Sequence, residues 1–194
     1  MIFLSGWSGF SEIYPEISKK YKFIVPFQDP NFSEWYLDEI KQEEDMLVGW
    51  SLGANLILKD IDKLNAKRII LIAPFLNFTD YVNERIVDLM IRAFERDREK
   101  CVNDFWARIG IKKDVKTKIN SSLKEGLIFL KKRNNFKEYV HDKNILIIAL
   151  TIDRILPLKA FMDVQKKIFG SVIKLYSNHY VEEKILERII FENI

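Results

Sequence analysis

The chain has 194 residues, 48% of them hydrophobic and 30% charged, with a net charge of +3. Length and apolar fraction suit one domain with a buried core, and so small a net charge gives no ground for a nucleic-acid partner. A single cysteine, Cys101, excludes an internal disulfide. With no signal peptide at the N-terminus and no run near the roughly 20 apolar residues of a membrane span, a cytoplasmic protein is expected.

In chain order, short apolar runs alternate with amphipathic stretches, the pattern of a parallel α/β sheet. Residues 1–5 predict a buried strand, 11–20 a helix, 22–26 a second strand and 32–42 a helix. A strand at 45–49, a helix at 52–63 and a strand at 68–73 follow. From about 77 to 141 the pattern is mostly helical, with no clear strand. Strands resume at 145–150 and 171–176, with helices near 158–169 and 181–191. The expectation is one domain over 1–194, with residues 77–141 a helical lid inserted between core strands. No repeat, low-complexity tract or flexible linker interrupts it.

Residues 49–53 read Gly-Trp-Ser-Leu-Gly, a G-x-S-x-G pattern. Such a motif makes a sharp strand-to-helix turn that pushes the serine hydroxyl out of the sheet, and its glycines relieve crowding. The context fits, with apolar Met46, Leu47 and Val48 before it and the amphipathic Leu56, Ile57, Ile61 and Leu64 after. Ser51 is the expected nucleophile, at a helix N-terminus whose free N–H groups favour developing negative charge. The competing reading is a plain turn that happens to hold two glycines.

A base must come from two histidines. His179 follows the last predicted strand, where hydrolases built on this turn place theirs, in the order Ser, acid, His. His141, in a polar stretch, reads as a surface residue. Asp153 follows the penultimate strand and can hold the imidazole tautomer and stabilise the imidazolium. Its rivals are a role as helix cap and Asp163, which falls inside a predicted helix. An oxyanion hole needs two backbone donors. The N–H groups of Leu52, after the nucleophile, and Trp7, in the Ser5-Gly6-Trp7 loop after the first strand, are the candidates.

Leu4–Trp7, Leu47–Gly53 and Asp153–Pro157, together with residues 123–133 (LKEGLIFLKKR) and Phe136, carry a resemblance. The chain resembles the α/β-hydrolases and, within them, the pimeloyl-acyl-carrier-protein methyl ester carboxylesterases of biotin synthesis. The likeness runs over most of the chain and is loose in the lid. It implies an α/β-hydrolase fold and a cofactor-free, metal-free serine carboxylesterase that removes a methyl group from an acyl chain on acyl carrier protein. The roles it implies fall on Ser51, Asp153 and His179, with Trp7 and Leu52 at the oxyanion. The chain departs from the pattern at several places. Ser5-Gly6 stands for the usual His-Gly, Ala54-Asn55 replaces a further glycine, Tyr180 follows the histidine, and the usual leading strands are missing. Other readings stay open: a general carboxylesterase or thioesterase, a haloperoxidase-like or C–C hydrolase, or a catalytically silent hydrolase fold used as a binding module.

The lid agrees with a carrier-protein partner on separate grounds. Residues 77–141 hold 15 Lys and Arg against 10 Asp and Glu, so +5 lies there and −2 elsewhere. A basic lid would steer an acidic carrier protein, with Arg92, Arg96, Arg98, Lys112, Lys113 and Lys116 as candidates. Alternating charges such as Glu95-Arg96-Asp97-Arg98 equally suit a solvated helix face. Trp7, Trp50, Phe75, Phe78 and Phe105 are candidate substrate-binding residues. Phe75, Phe78, Phe105, Phe94 and Trp106 could line an acyl channel or simply form the core of the lid.

Overall fold

Each apolar run becomes a strand in a computed structural model that describes residues 1–136 and 144–193. The strands are β1 (Ile2–Leu4), β2 (Lys22–Ile24), β3 (Met46–Trp50), β4 (Arg68–Ile72), β5 (Asn144–Leu150) and β6 (Ser171–Leu175). They form one sheet in the order β2-β1-β3-β4-β5-β6, parallel throughout. Central β3, β4 and β5 are buried almost end to end, whereas edge strand β6 is partly exposed. That is why the central runs read as continuously apolar, as strands covered on both faces do.

Helices cover both sides of the sheet. Helix α1 (Pro15–Lys20) opens on proline, which has no N–H to leave unpaired. It is tied to α8 (Glu183–Phe191) because the Glu183 carboxylate accepts from the N–H groups of Glu16 and Ile17, at 2.7 and 3.0 Å. An acid at a helix N-terminus is favourably placed. Helices α2 (Phe32–Ile40) and α3 (Leu52–Asp60) are joined where the Tyr36 hydroxyl donates to Asp60 at 2.8 Å.

Between β4 and β5 in the chain come α4 (Glu84–Arg96), α5 (Arg98–Ile109) and α6 (Leu123–Lys131). Asn83 caps α4 and Asp97 caps α5, each side chain accepting a first-turn N–H. Residues 110–122, within the stretch expected to be mostly helical, contain no helix. Gly110, at φ 101°, ends α5 in the left-handed conformation, and the stretch after it buries Ile111 and Ile119 without forming a helix. After β5, α7 (Leu158–Gln165) leads to β6. No helix among the described residues is long and apolar enough to cross a membrane.

The chain runs from β1 outward to edge strand β2 and then returns to place β3 on the other side of β1. This reversal leaves a crevice beyond the C-terminal ends of β1 and β3, where ligands of open parallel sheets bind.

Candidate active site

Ser51 sits at the turn between β3 and α3 with φ 54° and ψ −113°. That is a strained conformation for a residue with a side chain, held by the Ser51 N–H to Ile72 carbonyl bond at 2.8 Å. The motif glycines make the turn possible. A Cβ on Gly53 would lie 2.0 Å from the Leu4 carbonyl oxygen, and one on Gly49 would lie 2.7 Å from the Ala54 Cα. The first turn of α3 therefore rests directly on the end of β1.

The structure brings Ser51, His179 and Asp153 into one chain of hydrogen bonds. His179 Nε2 lies 2.8 Å from Ser51 Oγ, and its Nδ1 lies 2.6 Å from Asp153 Oδ2. A carboxylate only accepts, so Nδ1 carries the proton and Nε2 is left to accept from the serine hydroxyl. The histidine and aspartate side chains are 1% and 3% exposed. Burial pushes the Asp153 carboxyl up, but the His179 charge and hydrogen bond, with the N–H groups of Leu156 and Ile155, bring it below its ordinary value. The two carboxylate oxygens divide these tasks. Oδ1 takes the two backbone donors and Oδ2 takes the histidine, while α7 begins only at Leu158, so Asp153 is not its cap. Asp163, on α7, is bound to Tyr81, Lys159 and Lys166. His141 lies outside the described residues.

Leu52 is the first residue of α3, where backbone N–H groups have no intrahelical partner. Trp7 lies on the neighbouring loop, which Ser5 shapes. The Ser5 N–H donates to Ile24, its Oγ donates to the Gly9 carbonyl at 2.6 Å, and Gly9 closes back on Gly6. Helices α5 and α6 are each bonded to this loop. Trp7 Nε1 donates to the Leu123 carbonyl of α6 at 2.9 Å, and Trp106 Nε1 of α5 donates to the Ser8 carbonyl at 3.0 Å.

A narrow pocket, with about 60 Å³ of room inside it, is lined at one end by Ser51 and His179. Its walls are apolar: Trp7 and Phe105 on one side, Val82, Val87 and Met90 at α4, and Leu127 and Leu130 on α6. Of the aromatic residues expected to meet substrate, Trp7, Phe78 and Phe105 line it. Trp50 and Phe75 do not, and that expectation is corrected. Trp50 is 1% exposed and lies behind the histidine, donating from Nε1 to the His179 carbonyl at 2.8 Å. Phe75, also 1% exposed, packs in the core on Phe78, and its carbonyl accepts from Asn55. Phe94 on α4 and Trp106 on α5 are buried.

Arg92, Arg96, Arg98, Lys112, Lys113 and Lys116 are all exposed. They are spread over α4, the start of α5 and the stretch after it, and some serve the fold. Arg98 lies over the Phe94 ring, Lys113 reaches the Glu12 carbonyl, and the Lys116 N–H donates to the Glu12 carboxylate. Cys101 is buried in α5, where burial pushes its thiol up to about 11.

Sequence reasoning missed Asn178. Its Oδ1 accepts from the N–H groups of His179 at 2.8 Å and Arg154 at 3.0 Å, while its Nδ2 donates to the Arg108 carbonyl of α5 at 3.0 Å. One side chain thus joins the loop of His179, the loop of Asp153 and helix α5. Only its place beside His179 hinted at this. Two departures from the motif pattern also gain a purpose. Asn55 Nδ2 binds the carbonyls of Phe75 and Leu76, and the Tyr180 ring packs on Tyr14 and Trp50.

No family model matches the sequence, and comparison with characterised proteins finds no relative by sequence. The fold does have counterparts. The esterase EaEST from Exiguobacterium antarcticum superposes with a TM-score of 0.74 at 16% identity, over 99% of this chain and 91% of that one. A thermophilic esterase from Thermogutta terrifontis gives 0.67 at 12% identity, over 99% and 86%. The RedJ thioesterase of the prodiginine pathway in Streptomyces coelicolor gives 0.62 at 11%, over 98% and 84%. At such identities the likeness is one of fold, and the fold of this chain is that of the α/β-hydrolases.

Proposed function

We propose that this chain is a serine carboxylesterase acting on esters with an apolar acyl group. The observation that carries the reading is the Ser51–His179–Asp153 hydrogen-bond chain, at 2.8 and 2.6 Å, at the floor of an apolar pocket. His179 Nε2 takes the proton as Ser51 Oγ attacks the ester carbonyl, and Asp153 stabilises the imidazolium. The N–H groups of Leu52 and Trp7 hold the oxyanion. His179 then gives its proton to the leaving alcohol, and water, activated by the same base, cleaves the acyl-enzyme. No step needs a metal or organic cofactor. The esterases and the thioesterase of the same fold fit acyl transfer.

Ser51→Ala tests the reading. Hydrolysis of a short acyl ester should fall to background, labelling by a fluorophosphonate should vanish, and the fold should persist. Undiminished turnover in that variant overturns the assignment, and failure of the native protein to label points to a silent binding module.

The finer reading is the methyl ester of pimeloyl-acyl carrier protein. It rests on the motif resemblance and on the +5 balance of residues 77–141, whose exposed arginines and lysines suit an acidic carrier. Rescue of a biotin auxotroph lacking its esterase separates it from a general esterase.

A further inference from the structure

The acyl pocket is apolar along its walls, yet among the described residues of its lining two side chains always carry charge, and both are arginines. Arg108 comes from the last turn of α5 and Arg154 follows the triad acid. Among the described residues no carboxylate lines the pocket. Both arginines are exposed, and among the described residues neither guanidinium has an ion-pair partner. The contrast with nearby lid cations is plain: Lys124 meets Glu95, Lys131 meets Asp88, and Arg133 meets Asp80, at 2.6 to 2.9 Å.

The two arginines are anchored together, because Asn178 binds the carbonyl of one and the N–H of the other. Arg154 also lines an adjoining open groove with Lys112, where again no described residue supplies a carboxylate. Positive charge therefore collects where a bound acyl ester would emerge from its apolar channel. A guanidinium offers a planar fork of donors that suits carboxylate and phosphate oxygens.

We propose that Arg108 and Arg154 form an anion subsite at the pocket mouth, which selects acyl esters carrying a carboxylate or phosphate beyond the apolar channel. This rests on the reading of Ser51 as an esterase nucleophile. The anion belongs either to the far end of the acyl chain or to the alcohol.

Matched ester pairs test it on the full chain. In one arm, kcat/KM for monomethyl adipate is compared with methyl hexanoate, which lacks the distal carboxylate. In the other, the hexanoyl ester of 3-hydroxypropyl phosphate is compared with propyl hexanoate. The native protein should favour the anionic ester in one arm by about tenfold at low salt, and added salt should erode that preference. The double variant Arg108→Gln/Arg154→Gln should bring the ratio close to one. The arm that responds identifies the side bearing the anion. No preference in either arm, or a preference that survives the double substitution, overturns the subsite. Fluorophosphonate labelling of Ser51, read in parallel, separates the two readings. A labelled enzyme blind to charge overturns the subsite alone, and an unlabelled, inactive protein overturns both.

Discussion

Replacing Asn178 with alanine removes three hydrogen bonds that meet at the histidine loop. The Arg154 N–H and Arg108 carbonyl are within reach of water, so their loss should cost about 0.5–1 kcal/mol each. The N–H of buried His179 is harder to satisfy, and its loss should add about 1–2 kcal/mol. The sum is about 3 kcal/mol, or a Tm lowered by roughly 6–12 °C at this chain length. Trp50 still holds the His179 carbonyl, so the loop should shift without unravelling. A small shift of the base still matters, and kcat should fall on the order of 10–100-fold. Asn178→Asp separates position from stability. It keeps the acceptor for the two N–H groups but turns a second oxygen toward the Arg108 carbonyl. It should restore most of kcat and little of the Tm. Ester hydrolysis under saturating substrate and thermal melts of both variants decide the matter. Native kcat in Asn178→Ala, or equal loss in Asn178→Asp, refutes the positioning role.

Two further substitutions probe the neighbouring turns. Gly53→Ala would set a methyl 2.0 Å from the Leu4 carbonyl oxygen and 2.6 Å from that of Ser5. Both are backbone atoms, so the variant should lose more than about 3 kcal/mol; a soluble product melting within about 2 °C of the native chain refutes this. Asp153 gives a pH signature. Its carboxyl lies below the ordinary value in the fold, so its ionised form adds stability above about pH 4 that is lost as pH falls through the lower native value. Urea unfolding from pH 7 downward should therefore show the native chain losing more stability below about pH 4 than Asp153→Asn. Parallel curves refute the linkage.

The meeting of Ser51, Asp153 and His179 is legible in the sequence because turn chemistry is local and histidine is scarce. A strand, two glycines and a helix dictate the elbow, and loop order places the acid and base at adjacent strand ends. The strands are legible because β3, β4 and β5 are buried on both faces and show it as unbroken apolar runs. The pocket wall is not legible. Whether an aromatic residue faces a channel or a core depends on how lid helices roll against the sheet, and composition does not reveal that roll. Trp50 and Phe75 turn inward, while Val82, Met90, Leu127 and Leu130, unremarkable in sequence, face the site. Asn178 escapes for a related reason. Its three partners lie at 108, 154 and 179, and only the folded chain brings them together.

Those contacts bear on how a substrate arrives. Helix α5 is bonded to the catalytic loops at three points: Trp106 Nε1 to Ser8, Asn178 to Arg108, and the Tyr180 N–H to the Ile109 carbonyl at 3.3 Å. Lifting the helix away would break all three, at about 1 kcal/mol each. It would also expose the fully buried Trp106, whose burial is worth about 5 kcal/mol at roughly 25 cal/mol per Å² over about 200 Å². The total of about 8 kcal/mol is comparable to the whole stability of a typical domain. A lid that opened this way would be close to unfolding. Helix α5 is therefore a buttress, and the path to Ser51 runs through the existing mouth. There Ile86 of α4, 38% exposed, and exposed Arg108 and Arg154 belong to the lining. If the proposed anion subsite holds, these two guanidiniums at the mouth are where the charge of a substrate would be read.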